Sequence, residues 1–241
     1  MFQRSLEEKL RLAVTPERKS NILNNIKKWE KYNIEKNDEF EKLWDKWEYI
    51  THLSSKEENQ CLFELSRNLN DNDNVIEVGR FVGFSTIFLS GKHNIYSIDT
   101  CVKKENLMPY DFNNKFIGIE DIFPGWKDLD ECSDLLYSLV GIKVNKLNGD
   151  SRDINIYNQC PIAKLIFVDG GHSYETCFND LHNYWEKLEN NGYIAIHDYN
   201  LSLAKFYRNS GVDIAVDEFI INKKISTEQI KICNSMVIIN K

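Results

Sequence analysis

NVIEVGRFVGFST, residues 74–86, is the stretch on which the reading of this chain turns. Val75, Ile76 and Val78 form an apolar run that breaks at Gly79. A second glycine, Gly83, follows in the loop, and Ser85 and Thr86 open the amphipathic run IFLS. The pattern predicts a strand, a glycine turn and the start of a helix. Such a turn offers backbone N–H groups to the ribose and phosphate, or amino-acid, parts of a nucleotide-like ligand. Glu77 stands just before the first glycine. A dinucleotide fingerprint carries Gly-x-Gly-x-x-Gly, which lets the backbone touch a pyrophosphate; the spacing here is Gly79-x-x-x-Gly83.

Working outward, NIYSIDT (94–100) reads as a second buried strand with Asp99 at its tip. A carboxylate there, about 20 residues beyond the glycine turn, is where nucleotide folds bind ribose hydroxyls. IKVNKLNGDS (142–151) alternates like a strand and ends in Gly149-Asp150-Ser151, either a plain turn with a helix cap or a polar cluster able to bond an adenine edge. AKLIFVDGGHSYE (163–175) is the second strong signal: LIFV is a run of the parallel-sheet type, stopped at Asp169 by two glycines. A helix from His172 follows, closed by Asn190-Asn191-Gly192. YIAIHDYN (193–200) is another buried strand, ending in His197-Asp198. Asp99, Asp150, Asp169, His172, His197 and Asp198 therefore gather at the carboxyl edge of a parallel sheet, where open α/β sheets bind ligands. Residues 211–222 have helical periodicity, and IKIC and SMVIINK look like a closing hairpin with one antiparallel strand.

Residues 1–50 are charged and helix-prone, with Trp29, Trp44 and Trp47 among Lys and Glu. They read as amphipathic helices that pack on the main domain or a partner subunit, or as a lid. Ser54 and Ser55 with Glu57 and Glu58 form two overlapping capping boxes that start a helix. The domain boundary is placed near Thr51, giving a helical extension (1–50) and a main domain (51–241). The irregular stretch 101–130, with Tyr110, Phe123 and Trp126, is a candidate for substrate contact.

The totals set outer limits. A chain of 241 residues with 42% hydrophobic content can bury a sizeable core. A net charge of −7 argues against general nucleic-acid binding. No apolar run approaches the roughly 20 residues that span a bilayer. MFQRSLEEKLRLAV lacks a signal-peptide core, and the six scattered cysteines show no CxxC pair, so a cytoplasmic protein with reduced thiols is expected.

Glu77-x-Gly79-x-x-x-Gly83-x-Ser85 resembles motif I of class I S-adenosylmethionine (SAM)-dependent methyltransferases. Together with Asp169-Gly-x-His172-Ser-Tyr and the His197-Asp198-Tyr199 strand end, it resembles the family that groups macrocin-type sugar O-methyltransferases with cephalosporin-hydroxylase-like proteins, over about residues 51–222. That resemblance implies a Rossmann-like α/β fold: a mostly parallel seven-stranded sheet with an antiparallel C-terminal strand. It implies that Glu77, Gly79, Gly83 and Ser85 surround the methionine part of SAM, that Asp99 takes the ribose hydroxyls, and that Asp150 and Ser151 lie at the adenine. It also implies a divalent cation on Asp169, His197 and Asp198, with His172 as general base. Position 197 is His where the antibiotic sugar enzymes have a carboxylate, a set that suits magnesium less and manganese, iron or zinc more.

Methyl transfer requires the acceptor oxygen in line with the methyl group and a base for its proton. The expectation is thus O-methylation of a sugar or other small hydroxylated acceptor, on a soluble protein that binds neither nucleic acid nor membrane and whose helical extension suits a homodimer. Two other readings stand beside it: a nucleotide-cofactor oxidoreductase, disfavoured by the glycine spacing, and a non-catalytic scaffold of the same fold.

Overall fold

The computed structural model describes residues 13–50, 52–106, 123–204 and 209–241. Thr51 and most of the loop expected to contact substrate (107–122) lie outside them.

One sheet organises these residues, in the order β1-β7-β8-β6-β5-β2-β3-β4. Its centre is β2 (Asn74–Val78), paired in parallel with β3 (Asn94–Asp99) on one side and β5 (Ala163–Val168) on the other. Val75 to Val78 are all buried, as expected of a strand covered on both faces. β4 (Asn145–Asn148) extends the sheet beyond β3, and β6 (Leu188–Ile196) lies parallel beside β5. The hairpin of β7 (Ile230–Cys233) and β8 (Met236–Asn240) closes it; β8 runs antiparallel to both β6 and β7. This is the mostly parallel sheet that the sequence predicts, with an eighth strand added: β1 (Glu30–Lys31) pairs in parallel with β7 at the edge. Both residues of β1 are charged and exposed, so no apolar alternation marked them.

The helices start where capping chemistry says they should. α1 (Pro16–Lys28) begins with Pro at its first position and Thr15 as N-cap. After α2 (Asp38–Trp47), α3 (Lys56–Arg67) opens on a complete capping box between Ser55 and Glu58. α4 (Phe84–Leu89) follows the glycine turn. α5 (Leu129–Val140) is capped by Asp128, and α6 (Ile154–Gln159) by Asp153. α7 (Tyr174–Lys187) starts at Ser173 and ends at Lys187, before the Asn190-Asn191-Gly192 stop read from sequence; those three residues lie in β6. α8 (Val212–Lys223) completes the set.

Residues 13–50 enter the core. Ile22 and Trp29 join the cluster formed by β5, β6, α7 and α8, while Phe40, Trp44 and Trp47 pack with Phe63, Phe84 and Phe88. A buried ion pair fixes α1 on α8: Arg18 Nε donates to Asp213 Oδ2 at 2.6 Å, and its guanidinium also reaches the Ser210 carbonyl. Among the described residues no helix is long and apolar enough to cross a membrane.

Candidate active site

The glycine turn after β2 is built by backbone geometry and one buried acid. Gly79 (φ +93°) and Gly83 (φ +90°) both take the left-handed conformation. Each is also packed too closely for a side chain: a Cβ on Gly79 would stand 2.1 Å from the Asp169 carbonyl oxygen, and one on Gly83 2.6 Å from the Tyr137 ring. Glu77 does not reach the cavity wall. It is fully buried behind the turn, where it accepts hydrogen bonds from Ser85 Oγ (2.8 Å), Thr86 Oγ1 (2.7 Å) and Ser97 Oγ. Burial raises its pKa against the opposing effect of those hydroxyls. The residue expected beside the methionine part of a ligand thus acts one layer further back, tying the first turn of α4 to β3.

Asp99 lines the cavity and holds the same turn from the other side. Its Oδ2 accepts from the backbone N–H groups of Arg80 and Phe81, both at 2.9 Å, and its Oδ1 from that of Cys101 at 2.7 Å. Arg80 is buried beneath and binds the Ser97 carbonyl, Asp130 and Asn148, which joins the ends of β3 and β4 to α5. Asp150 also lines the cavity, but its carboxylate is gripped by Arg152 through the backbone N–H and Nε, both at 2.9 Å, and a terminal nitrogen at 2.6 Å. The Arg152 hydrogen bonds lower its pKa. Ser151 turns its hydroxyl inward to Asp180 Oδ1 (2.6 Å).

The ends of β5 and β6 bring the remaining candidates together. Asp169, His172 and Asp198 each offer one ligand atom, all within 4.8 Å of one another. His172 Nε2 lies 3.0 Å from Asp198 Oδ2. Asp198 itself takes a left-handed backbone (φ +63°), which an aspartate tolerates better than most residues. His197 stands behind this group. Its Nδ1 is 3.2 Å from Oδ1 of both Asp169 and Asp198, pointing squarely at neither, and its Nε2 is 3.2 Å from Glu58 Oε2.

These contacts set the charges. Burial alone would lower the pKa of His197, but Asp169, Asp198 and Glu58 raise it well above its usual value. Burial likewise opposes, and Asp198 outweighs, at His172, whose pKa is raised. Burial would raise Asp198, and the two histidines instead hold it well below the carboxylate range. His197 turns Nε2 to Glu58 and Nδ1 to the two aspartates, so its ring lies behind the group. Of the expected ligands, Asp169 and Asp198 belong to the group whose donor atoms come together, and His172 completes that group where His197 was expected. By donor type this set, two carboxylate oxygens and one imidazole nitrogen, fits a divalent transition ion.

All of this opens into one cavity of about 570 Å³. It holds the glycine turn, Asp99, Asp150 and Arg152 with Asp169, His172, His197 and Asp198. Sequence reasoning missed part of the wall. His52, Leu53 and Ser54 line it from the segment between α2 and α3. His52 stacks on Phe84 with ring centroids 4.2 Å apart, and its Nδ1 contacts the Ile50 carbonyl at 2.7 Å. A single histidine in a polar stretch gives no signal of this. Arg152, by contrast, stood next to Asp150 and could have been read as its partner.

Comparison with known proteins follows the same lines. No curated protein matches the chain. Solved structures share its fold. The O-methyltransferase NovP aligns over 78% of this chain and 80% of its own with TM-score 0.55 and 16% identity. The methyltransferase PaMTH1 of Podospora anserina, solved with S-adenosylhomocysteine (SAH), aligns over 99% and 97% with TM-score 0.55 and 14% identity. The O-methyltransferase TomG of Streptomyces achromogenes, solved with SAM, aligns over 86% and 92% with TM-score 0.52 and 11% identity. Residues 76–199, from the middle of β2 to just past the end of β6, match the family described as a methyltransferase domain. That span includes the glycine turn, Asp99, Asp150, Asp169, His172, His197 and Asp198, and the chain belongs to this methyltransferase family.

Proposed function

We propose that the protein is a SAM-dependent O-methyltransferase acting on a hydroxyl of a sugar or other small hydroxylated acceptor. One observation carries the reading. The Gly79 backbone is in contact with the Asp169 carbonyl, so the turn suited to the methyl donor and the carboxylate–histidine group open into one cavity. Donor and acceptor held side by side need little further catalysis beyond alignment and removal of a proton.

In this reading the SAM methionine lies over the turn of Gly79, Arg80 and Phe81. The ribose meets the rim set by Asp99, and the adenine lies near Asp150, Ser151 and Arg152. The sulfonium methyl then points toward the edge formed by β5 and β6. His172, oriented by Asp198 at 3.0 Å, receives the acceptor proton at its ring nitrogen. As the acceptor oxygen bonds to the methyl carbon, the carbon–sulfur bond breaks and its electron pair stays on sulfur, giving SAH. Asp169, His172 and Asp198 are the residues that would hold a divalent cation; such a cation would lower the pKa of a coordinated hydroxyl, and the His172 lone pair would then be on the cation, so His172 serves as the base only with the cation absent. The O-methyltransferase names of NovP and TomG agree with this choice of acceptor atom. A homodimer through the helical extension is part of the proposal.

Calorimetric titration with SAH and with NAD tests the donor. SAH binds and NAD does not; a protein that binds neither, or NAD alone, overturns the reading. With an acceptor found by a tritiated-SAM screen, His172→Ala abolishes transfer and leaves SAH affinity unchanged. Wild-type turnover in that variant removes His172 as the base.

A further inference from the structure

We propose that Glu58 is a positioning residue of the catalytic edge, acting through His197 on Asp169, Asp198 and His172. The proposal rests on the methyltransferase reading only for calling that edge catalytic. Glu58 has an evident local task as the third residue of the α3 capping box, where its Oε2 accepts from the Ser55 backbone N–H (2.8 Å) and Ser55 Oγ (2.9 Å). A cap needs no more than that, and a capping carboxylate usually sits in water. Glu58 is instead 3% exposed. Its Oε2 also faces His197 Nε2 at 3.2 Å, and its Oε1 accepts from the backbone N–H (2.9 Å) and the hydroxyl (2.6 Å) of Ser235 in the C-terminal hairpin.

Both extra attachments lead to the same three residues. The direct one holds the ring of His197. The indirect one runs through Ser235, whose carbonyl accepts from the Tyr199 backbone N–H at 2.9 Å. Asp198 lies between these two anchors with its backbone in the left-handed region. A carboxylate can only accept, so the Nε2–H of His197 donates to Glu58, and its Nδ1 is left to the two aspartates on the other side. The orientation of that ring sets how far apart Asp169 and Asp198 stand. Asp198 in turn meets His172 at 3.0 Å. The order Glu58, His197, Asp198, His172 is thus a chain of side-chain contacts from the start of α3 to the proposed base. A buried partner of this kind fixes the functional group by fixing the orientation of its neighbour, as supporting groups do at metal and catalytic sites.

The test is ¹H–¹⁵N NMR of the histidine rings in the full chain, with SAH titration as a check of folding. Glu58→Gln keeps the size and removes the charge: an amide oxygen that still faces His197 is a weaker acceptor than a carboxylate, and an amide nitrogen there meets the Nε2–H donor against donor. The downfield Nε2–H signal of His197 moves upfield or disappears and the ring signals of His172 shift, while saturable SAH binding shows that the chain is folded. Glu58→Asp, which keeps the charge and withdraws it by one methylene, shows the same changes and carries the test if Glu58→Gln does not fold. Ser55→Ala, which removes the cap hydroxyl and its bond from Asn234 but leaves Glu58 facing His197 and Ser235, lowers the melting temperature and leaves both histidines as in the wild type. Histidine spectra of the foldable Glu58 variant that superimpose on the wild type overturn the proposal, as does a Ser55→Ala spectrum equally altered. Absence of SAH binding by the wild type would sink the methyltransferase reading instead, and the ring shifts would still decide the role of Glu58.

Discussion

Gly79→Ala isolates the contact on which the functional reading depends. The substitution adds one methyl group to a residue at φ +93°. The left-handed backbone costs an L-residue about 1–2 kcal/mol. The methyl would also stand 2.1 Å from the Asp169 carbonyl oxygen, 2.4 Å from its carbon and 2.7 Å from the Gly170 nitrogen. Ordinary contact begins at 3.4 Å, so the ends of β2 and β5 must part by more than 1 Å. Neither end is free to move. The Gly79 N–H is bonded to the Ile98 carbonyl (2.9 Å) and the Asp169 N–H to the Val78 carbonyl (2.7 Å). Overpacking of this kind costs about 1–3 kcal/mol, so the sum is roughly 2–5 kcal/mol. At roughly 2–4 °C per kcal/mol for a chain of this size, the melting temperature falls by about 4–20 °C. Gly141→Ala is the control: its φ is +80° and a Cβ there meets no described atom within 4 Å, so it bears the backbone strain alone. Thermal unfolding by circular dichroism compares the two, and SAH titration reads the site. SAH affinity should fall at least roughly tenfold in Gly79→Ala, about 1.4 kcal/mol, and stay level in Gly141→Ala. Equal melting temperatures in the two variants, with SAH affinity intact in both, would refute the argument that the donor turn and the Asp169 edge are packed as one unit.

Asp99→Ala removes the acceptor of three backbone N–H bonds, two of them, from Arg80 and Phe81, in the donor turn. Bonds to a charged group contribute about 1.5–3 kcal/mol each and do not add fully, so SAH affinity should drop by roughly 100-fold, read by calorimetry. An unchanged dissociation constant would show that the turn holds its shape without Asp99. Asp180 is buried, and desolvation raises its pKa from 3.8 to about 6 in spite of the Ser151 hydrogen bond. A carboxyl raised in the folded state contributes stability that is fully present below 3.8 and lost as pH rises through about 6. The loss is about 3 kcal/mol across that window. Urea unfolding from pH 4 to 7 should show this decline in the wild type, and Asp180→Asn should reduce it to the share of Asp217, whose pKa burial also raises to about 6; parallel curves would mean that Asp180 titrates alike in the folded and unfolded chain.

The sheet was legible in the sequence because its strands are buried on both faces. NVIEV, NIYSID, AKLIFV and YIAI are apolar runs of strand length, ending at Gly79, Asp99, Asp169 and His197-Asp198. Local capping was equally legible: Ser55 with Glu58 acts within one turn. Partners far apart in sequence were not legible. β1 is two charged residues whose only reason to be extended is β7, some two hundred residues later. Glu77 had the right position for a donor-site acid, but three hydroxyls from β3 and α4 turn it into the core. His197 stood at the expected strand end. Which nitrogen it could offer depended on Glu58, 139 residues away.

The same dependence explains why a histidine at 197 can serve where a carboxylate would be expected. Asp169 and Asp198 converge, each with an oxygen 3.2 Å from the same ring nitrogen. Two ionised carboxylates so placed repel each other, and one of them would be driven to hold a proton. A third carboxylate at 197 would deepen that repulsion. An imidazole offsets it, and Asp169, Asp198 and Glu58 together raise its pKa well above the usual value against burial. Asp198 then remains ionised with its second oxygen turned to His172. The proposed base is therefore held through Asp198 at the end of β6, with His197 and then Glu58 of α3 behind it.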